Sequence, residues 1–543
     1  MKKSGSCRFF YFGERALSIT LCLFRRHKNI MTQSLILAID QGGQSSRVAV
    51  YTDVGEQLYC FAAPCATSHK LVNGQEYIEQ DPDEILLGIK SCIEKVNIAL
   101  GENVKNIMAA GFAGQGSSLL CWNNKTGEAL SPVLSWQDVR GDGFLQPLTF
   151  THTQARELTG LRVSPHYGAS KIRWCLDNNI QVRNALKNNT LSIGPIVSYI
   201  FWHLTGKNYI DPGHAQRTLL WNLISNTWDA SLLNLFNIPR NILPELKWHD
   251  SHFGDFYIND HKILFTASAR DQGASLFSRG LPDKNACYIN IGTGAFIQRV
   301  ADNLNAPDGL LVSPLWLPEN NDEEIIDMAS PTCYVGDFTN DFIPDLSLPS
   351  GIYIKPEKTS WYAWEATVNG AASAIAYIEQ QTGVKITPKI IGLALTLEPD
   401  TNCYFLNAVG GLSAPYWRTD LTSTFSLDLT ANEKILAWLE SIVFQIIVNI
   451  NLMSKLGDAQ KIYISGGLSN ADLLCQKIAD LIQVAVHRSE NADATLQGIA
   501  CMAGGLSDVW QDSVIEKIFQ PAINVKLNKR FSMWQDAMKN WLK

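Results

Sequence analysis

The sequence predicts an α/β protein of two domains, and three observations support this prediction. The chain has 543 residues, which is more than one hydrophobic core normally accommodates. Strand-like and helix-like segments alternate from Leu35 onward, a pattern typical of sheets covered by helices. Two similar glycine-containing hairpins, at 35–50 and 287–297, lie about half a chain apart. We therefore expect one of these hairpins in each domain.

In each hairpin, an apolar run rich in β-branched residues ends at a polar glycine turn, and a second apolar run follows. Glycine lets a backbone approach a ligand closely, and the N–H groups of such a turn can point at phosphate oxygens. A single turn of this kind usually only reverses the chain. Two turns, with Asp40 at the mouth of the first, indicate a phosphate clamp. The turn residues are Gly42, Gly43, Gln44 and Ser45 in the first hairpin, and Gly292, Thr293 and Gly294 in the second.

The segments between and after the hairpins supply the other predicted elements. Helical spacing predicts helices over 83–100, 171–178, 194–204 and 433–456. Apolar runs predict strands that begin near 106, 118, 264 and 461, and the third of these ends at Asp271. We expect a boundary near 279–285, which gives a first domain over 33–281 and a second over 282–508. The predicted helical tail covers 509–543.

Composition narrows the classes of function. Hydrophobic residues make up 46% and charged residues 18% of the chain, as in a soluble protein with large cores. A formal net charge of −7 argues against a nucleic-acid surface and favours a small or neutral substrate. The 12 cysteines form no CxxC pair and no zinc-like cluster, as expected for reduced thiols in the cytoplasm. The apolar run 442–453 contains Gln445, Asn449 and Asn451, so no membrane span is predicted.

The first thirty residues differ from the rest. The apolar run 16–24 is too short to cross a bilayer, and it continues directly into the basic residues 25–28. No small-residue cleavage site of a signal peptide follows it. We interpret residues 1–32 as a disordered or misassigned extension and Met31 as the biological start.

Ten short tags occur in a fixed order along the chain and together resemble the FGGY family of carbohydrate kinases. Each tag alone is weak evidence, and their collinear order from Gln33 to the C-terminus carries the resemblance. The tags are Asp40-Gln41-Gly42, Gly114-Gln115-Gly116, Ser135-Trp136-Gln137-Asp138, Thr159-Gly160-Leu161, Ile238-Pro239, Leu243-Pro244-Glu245, Asp271-Gln272-Gly273, Gly292-Thr293-Gly294, Gly411-Leu412-Ser413-Ala414-Pro415-Tyr416-Trp417 and Ser465-Gly466-Gly467. The resemblance implies two ribonuclease-H-like domains, of the actin-like ATPase fold, flanking a catalytic cleft.

The resemblance also implies roles for individual residues in ATP- and magnesium-dependent transfer of a phosphoryl group to a hydroxyl. Asp271 would be the general base that accepts the hydroxyl proton. Asp40 would orient magnesium through water, although stabilising the turn is the alternative. The two glycine turns would hold phosphates, with Arg47 as a weaker candidate. Gly466, Gly467 and Asn470 would pack against the adenosine.

The substrate side departs from the glycerol kinase pattern. Gly43 and Gln44 replace two threonines, and Gly116 and Ser117 replace an Arg-Glu pair. We interpret the missing pair as extra room, which favours a four- or five-carbon ketose or alditol over glycerol. His166 is equally consistent with packing and with substrate contact. The expected substrate-binding residues are Gln115, Gly116, Ser117, His166, Asp271, Gln272 and Phe296.

Two further features leave alternatives open. The segment 300–360 is longer than in the family and contains the acidic run 319–324, which we interpret as a solvated loop, with a lid or subunit contact as the alternative. Three functions compete with the leading one: a true glycerol kinase, a degenerate kinase retained as an ATP-binding sugar sensor, and a non-catalytic actin-like or chaperone-like protein. A homo-oligomer is possible.

Overall fold

The computed structural model describes residues 33–318, 360–399, 402–426, 428–489, 493–506, 510 and 516–543. The expectations for residues 1–32 and for the acidic run 319–324 therefore lie outside the described residues. The described strands are β1 Leu35–Gln41, β2 Ser45–Thr52, β3 Gln57–Pro64, β4 Thr67–Val72, β5 Gln75–Gln80, β6 Ile107–Gly114, β7 Leu119–Asn123, β8 Val133–Leu134, β9 Leu191–Pro195, β10 Tyr209–Ile210, β11 Trp221–Asn222, β12 Thr227–Trp228, β13 Glu245–Leu246, β14 Asp255–Ile258, β15 His261–Arg270, β16 Ala286–Ile291, β17 Ala295–Ala301, β18 Leu311–Trp316, β19 Trp361–Val368, β20 Phe405–Leu406, β21 Thr424–Phe425, β22 Lys461–Ser465, β23 Val486–Ser489 and β24 Glu516–Phe519.

Helices cover the sheets. The described α-helices are α1 Pro82–Leu100, α2 Asp142–Leu145, α3 His152–Thr159, α4 Gly168–Asn178, α5 Ile180–Lys187, α6 Ile196–Thr205, α7 Pro212–Gln216, α8 Ala230–Leu235, α9 Asp271–Ala274, α10 Ile375–Thr382, α11 Pro388–Leu395, α12 Ala431–Leu452, α13 Asp472–Ile482, α14 Ala494–Ala503 and α15 Val525–Trp541. The helices predicted near 83–100, 171–178, 194–204 and 433–456 are confirmed as α1, α4, α6 and α12.

Two large mixed sheets repeat one topology. The sheet of the first lobe has the order β14-β15-β6-β1-β2-β3, and that of the second lobe has the order β18-β19-β17-β16-β22-β23-β24. In each, three neighbouring strands pair antiparallel, β1-β2-β3 in the first sheet and β16-β17-β19 in the second. The first strand of each set then pairs in parallel with the next strand of the sheet, β1 with β6 and β16 with β22. This repeated arrangement confirms the prediction of two ribonuclease-H-like domains, each with a glycine hairpin at its centre.

The longest described helix, α12, is a core helix. Its N-terminus has a capping box, in which Thr430 Oγ1 accepts from the Glu433 backbone N–H while the Glu433 side chain accepts from the Thr430 N–H. The continuous segment Ala431–Leu456 is long and apolar enough to cross a membrane. However, 83% of its apolar window is buried inside the protein, where it packs beneath the second sheet.

Helix α14 joins the two lobes. It follows the second lobe in sequence but packs on the first sheet, close to β1, β6 and β15. Two glycines permit this contact: a Cβ at Gly498 would lie 1.7 Å from the Ala274 carbonyl oxygen, and one at Gly111 would lie 2.6 Å from the Ile499 carbonyl oxygen. The backbone of α14 can therefore lie directly against α9 and β6, next to the start of the predicted catalytic tag.

A second connection runs through β18, a strand of the second sheet. The Val312 N–H donates to the Gly160 carbonyl at 3.0 Å. The Gln216 amide donates to the Val312 carbonyl at 2.6 Å and to the Thr159 carbonyl at 2.7 Å. Through these buried hydrogen bonds, strand β18 of the second lobe is joined to the C-terminal end of α3 and to α7 in the first lobe.

Candidate active site

Asp271 lies where strand β15 ends and the short helix α9 begins. Its Oδ1 accepts a hydrogen bond from the Gln272 N–H at 2.7 Å, which leaves Oδ2 for a ligand. Burial raises the pKa of Asp271, and the charge of Arg270 opposes this increase. A carboxylate with a raised pKa at the C-terminal end of a strand is suited to accept a proton.

Asp40 lies at the same edge of the sheet, because β1, β6 and β15 are parallel neighbours. Gln41 and Arg270 both pair with Gly114 of β6, so the ends of the three strands align. Asp40 is buried, with 2% of its surface exposed. Burial raises the pKa of Asp40 to about 6; Arg47 lowers it, and the negative charge of Asp271 raises it further. The two carboxylates are thus electrostatically coupled.

The environment of Asp40 fits a magnesium ion held mainly through water. Its Oδ1 is buried and has no hydrogen-bond partner among the residues that the structure describes. No group of three or more His, Cys, Asp or Glu side chains that could hold a metal occurs within the described part of the chain. Mg²⁺ commonly uses one or two carboxylates together with waters and phosphates, so a single unpaired carboxylate oxygen is sufficient.

The two terminal nitrogens of the Arg47 guanidinium each pair with a carboxylate. These are the carboxylates of Asp40 and of Asp493, which directly precedes α14. Arg47 thereby connects the first glycine hairpin to the helix that joins the lobes. Its positive charge therefore lies beside Asp40, the predicted metal ligand.

The first glycine turn has free backbone donors. The Gly42 N–H is used within the turn, donating to the Ser45 carbonyl at 3.0 Å, and the Gly43 carbonyl accepts from the Gln80 amide at 2.8 Å. Among the described hydrogen bonds, none uses the N–H of Gly43 or Gln44. A Cβ at Gly43 would meet only Gln115 Oε1, at 3.8 Å, so a ligand can approach this backbone closely.

The second turn is built similarly. The Gly292 N–H donates to the Gly294 carbonyl at 2.8 Å, and the Thr293 carbonyl accepts from the Ser373 N–H at 3.0 Å. The Thr293 N–H takes part in no hydrogen bond that the structure describes. Both predicted turns therefore present unpaired N–H groups, as a phosphate clamp requires.

The third glycine turn lies beside the second, since Asn290 of β16 pairs with Ser465 of β22. Gly466 has a φ of +92°, and a Cβ there would lie 2.6 Å from both Asn290 Oδ1 and the Ile291 carbonyl oxygen. Only glycine fits this position. Gly467 has open space beside it, and Asn470 is exposed at the end of the same turn. This surface is suited to the flat face of a nucleoside.

Gln115 and Ser117 are held firmly on the substrate side. The Gln115 amide donates to Gln80 Oε1 at 2.8 Å and to Gln41 Oε1 at 3.1 Å, while its own Oε1 is buried and has no partner in the described part of the chain. Ser117 has a φ of +66°, and its carbonyl accepts from Lys171 Nζ at 3.1 Å. Burial lowers the pKa of Lys171 to about 7.

The structure does not support the expectation of extra room at Gly116. A Cβ there would lie 3.0 Å from Arg270 Cδ and 3.3 Å from Arg217 Cγ, so two arginine side chains fill the space. Arg270 Nη2 donates to Glu365 Oε1 at 2.5 Å, and Arg217 forms an ion pair with the same carboxylate. Burial alone would raise the pKa of Glu365, but these two charges hold it at about 2.

Sequence reasoning missed this buried arginine–glutamate cluster. Arg217 and Arg270 belong to the first lobe, whereas Glu365 lies on β19 of the second. The available sequence signal for the cluster was the position of Arg270 directly before the tag Asp271-Gln272-Gly273. The partner carboxylate is 95 residues away in sequence and had no local signature.

The remaining predicted substrate residues are Gln272, His166 and Phe296. Gln272 follows Asp271 directly, and its Oε1 is buried with no partner among the described side chains and backbone groups. His166 is partly exposed; its Nδ1 lies 3.1 Å from the Trp136 carbonyl oxygen, and desolvation of the imidazole lowers its pKa. Phe296 is half-buried on β17. No hydrogen bond or ring contact described in the structure joins His166 or Phe296 to Asp271.

Comparison with known proteins assigns this arrangement to a family. Residues 35–267 match the N-terminal domain, and residues 350–505 the C-terminal domain, of the FGGY family of carbohydrate kinases. The chain belongs to this family. It is therefore a carbohydrate kinase, an enzyme that uses ATP with magnesium.

Individual relatives cover almost the whole chain. The glycerol kinase of Halothermothrix orenii is 27% identical over 531 residues, which are 94% of this chain and 98% of that protein. The glycerol kinase of Acinetobacter baylyi is 28% identical over 528 residues, 93% of this chain and 98% of that protein. Among solved structures, the glycerol kinase of Plasmodium falciparum with ADP has a TM-score of 0.78 at 22% identity, and covers 94% of this chain and 99% of its own. A ligand-bound xylulose kinase of Lactobacillus acidophilus has a TM-score of 0.71 at 20% identity, and covers 94% and 97%.

Proposed function

We propose that this FGGY kinase transfers the γ-phosphoryl group of ATP to a hydroxyl of a small sugar or polyol, with Asp271 as general base. The observation that carries the proposal is the alignment of Asp271 and Asp40 at neighbouring strand ends, together with a glycine turn with unpaired N–H groups in each lobe. A four- or five-carbon ketose or alditol is the favoured substrate. The reduced cysteines and acidic net charge suit a cytoplasmic enzyme acting on a small molecule, not on nucleic acid or membranes.

Each residue has a distinct part in this reaction. Asp271 Oδ2 accepts the proton of the substrate hydroxyl as its oxygen bonds to phosphorus, while the Gln272 N–H holds Oδ1 in place. The N–H groups of Gly43, Gln44 and Thr293 donate to phosphate oxygens from the two lobes. Gly466, Gly467 and Asn470 support the adenosine. Asp40 would hold magnesium through water, and the bound ion would neutralise charge on the transferring phosphoryl group.

Glycerol kinase is the second candidate, and a specific observation favours it. The guanidinium and carboxylate that are missing at 116 and 117 are present nearby, as Arg217, Arg270 and Glu365. The curated relatives described above are also glycerol kinases. However, Glu365 is occupied by three donors, namely both arginines and the Gln298 amide at 2.7 Å, so its oxygens are not free for glycerol hydroxyls. We therefore rank glycerol below longer substrates.

A coupled ADP-release assay tests the proposal. The panel holds pentuloses, pentitols, a tetrulose, a tetritol, hexuloses and glycerol, each at saturating ATP and magnesium. We expect a four- or five-carbon compound to exceed glycerol by about a hundredfold in kcat/KM, since two charge-assisted hydrogen bonds to glycerol are missing. If glycerol is the best substrate, the second candidate is correct. If no compound releases ADP above the rate with water, the sensor alternative replaces both.

A further inference from the structure

Gln80, the last residue of β5, connects the first glycine turn to the substrate side of the site. The side chain is buried, with 3% of the residue's surface exposed. Its Nε2 donates to the Gly43 carbonyl at 2.8 Å, and its Oε1 accepts from Gln115 Nε2 at 2.8 Å. One buried amide is therefore bonded at one end to a phosphate turn and at the other end to a predicted substrate residue.

The hydrogen-bond pattern fixes the orientation of each amide in this network. A backbone carbonyl can only accept, so Gln80 must turn its Nε2 toward Gly43 and its Oε1 toward Gln115. Gln115 must then present its own Nε2, whose two hydrogens are donated to Gln80 Oε1 and, at 3.1 Å, to Gln41 Oε1. Because both hydrogens are used, Oε1 is the atom of the Gln115 amide that is left for a ligand.

At the phosphate end, the network sets the direction of one peptide group. The Gly43 carbonyl accepts a second hydrogen bond, from Thr67 Oγ1 at 3.0 Å. This carbonyl and the Gln44 N–H belong to the same planar trans peptide, so they point in opposite directions. Bonds from Gln80 and Thr67 to the carbonyl therefore turn the Gln44 N–H to the other side of the turn. That N–H is in no hydrogen bond that the structure describes, as a phosphate donor requires.

At the substrate end, the network leaves one acceptor unpaired beside the same turn. Gln115 Oε1 is buried and has no partner among the described residues, and it lies 3.8 Å from the position that a Cβ of Gly43 would take. Buried polar atoms are normally hydrogen-bonded, so this oxygen indicates a donor that a ligand supplies. A substrate hydroxyl is such a donor.

We propose that Gln80 is a positioning residue that aligns both ligands: it directs the Gln44 N–H at a phosphate oxygen of ATP and Gln115 Oε1 at a substrate hydroxyl. The inference rests on the proposed function and adds a residue to it. The Gln80 amide cannot turn over without breaking its bonds to both Gly43 and Gln115. The phosphate turn and the substrate residue consequently keep or lose their arrangement together.

Three variants separate the two ends of this network. Gln80→Met keeps the length of the side chain and removes both bonds. Thr67→Val removes the hydroxyl that donates to the Gly43 carbonyl and leaves the bond between Gln80 and Gln115 in place. The matched control is Gln75→Met, which makes the same change at the other end of β5. Circular dichroism establishes that each variant is folded.

The measured constants are KM for ATP, KM for xylulose, for glycerol and for the best compound of the panel, and Kd for the ATP analogue AMP-PNP with magnesium. In Gln80→Met, we expect the nucleotide constants and the KM of the phosphorylated compound each to rise at least about fivefold, since each ligand loses most of one aligned hydrogen bond. Thr67→Val should raise the nucleotide constants at least about twofold and leave the KM of the phosphorylated compound unchanged. The control Gln75→Met should match the wild type.

A double-mutant cycle distinguishes positioning from a general structural role. If Gln80 acts on the substrate through Gln115, adding Gln80→Met to Gln115→Met should not raise the KM of the phosphorylated compound further. The rise in the nucleotide constants should persist in the double variant, because it is transmitted through Gly43. A residue that only stabilises the fold would weaken substrate binding by the same factor in both backgrounds.

Two outcomes would overturn the inference: wild-type constants in folded Gln80→Met, or an effect on the substrate that is undiminished in the Gln115→Met background. If Gln80→Met does not fold, Thr67→Val decides, and an unchanged Kd for AMP-PNP in that variant overturns the inference. Failure of the proposed function is a separate result, recognised by the absence of ADP release by the wild type with every compound. The AMP-PNP titrations then still decide whether Gln80 and Thr67 direct the phosphate turn.

Discussion

Replacing Glu365 with glutamine should destabilise the protein strongly, because its carboxylate pairs with both buried arginines, Arg217 and Arg270. Glu365 is 6% exposed, and its pKa lies at about 2 instead of the usual 4.5. By linkage, this difference corresponds to about 3 kcal/mol of stability at pH 7, which agrees with the measured cost of breaking buried ion pairs. For a domain of 150–250 residues, this loss lowers Tm by roughly 6–12 °C.

Differential scanning calorimetry of the wild type and Glu365→Gln at pH 7 measures this effect. The matched control is Glu245→Gln, since Glu245 pairs with Lys247 at 3.1 Å but its side chain is 63% exposed. We expect the control to change Tm by less than about 2 °C. Because the pKa of Glu365 is lowered in the folded state, its contribution is complete above pH 4.5 and decreases as the pH falls toward 2. A Glu365→Gln variant as stable as the control would refute the description of the cluster.

Three further predictions follow from the packing and the charges. Gly498→Ala should lower Tm by several degrees, since its Cβ would lie 1.7 Å from the Ala274 carbonyl oxygen. The control Gly392→Ala, in helix α11, has open space around its Cβ and should leave Tm unchanged or slightly higher. Equal Tm values for the two variants would contradict the contact of α14 with α9. Burial raises the pKa of Asp40 to about 6 and also raises the pKa of Asp271, so both carboxylates become protonated as the pH falls. We therefore expect kcat/KM to decrease below about pH 6 and to level off above it. A flat profile of kcat/KM from pH 5 to 8 would count against the roles of both residues. Small-angle scattering should show compaction when an ATP analogue and the sugar are added together, because the phosphate turns lie in different lobes; an unchanged radius with both sites occupied would argue against closure.

Much of the fold could be predicted because its signals are local. The hairpins at 35–50 and 287–297 alternate apolar runs with glycine turns, and both are confirmed as the central pairs β1–β2 and β16–β17. The end of β15 at Arg270 could be predicted for the same reason. The proximity of Asp40 and Asp271 then follows from topology, since parallel strands end at one edge of a sheet.

Features that depend on distant parts of the chain could not be predicted. The five-stranded sheet β4-β5-β8-β7-β9 assembles short strands spread over more than a hundred residues. Helix α14 returns to the first sheet because Gly498 and Gly111 permit close approach, and nothing near them in sequence indicates this contact. The prediction of extra room at Gly116 considered only the missing side chain of this residue. The side chains that fill the space are those of Arg270, on β15, and Arg217, directly after α7.

Single-turnover phosphoryl transfer by Asp271→Asn tests the central claim most directly. The amide keeps the shape of the side chain but cannot accept the hydroxyl proton. We expect turnover with the best substrate of the panel to fall by roughly two to four orders of magnitude, while the affinity for ATP is retained. Asp260→Asn is the control, since Asp260 is exposed in the turn before the same strand and should leave turnover unchanged. Near-normal turnover in folded Asp271→Asn would contradict the assignment of Asp271 as the general base.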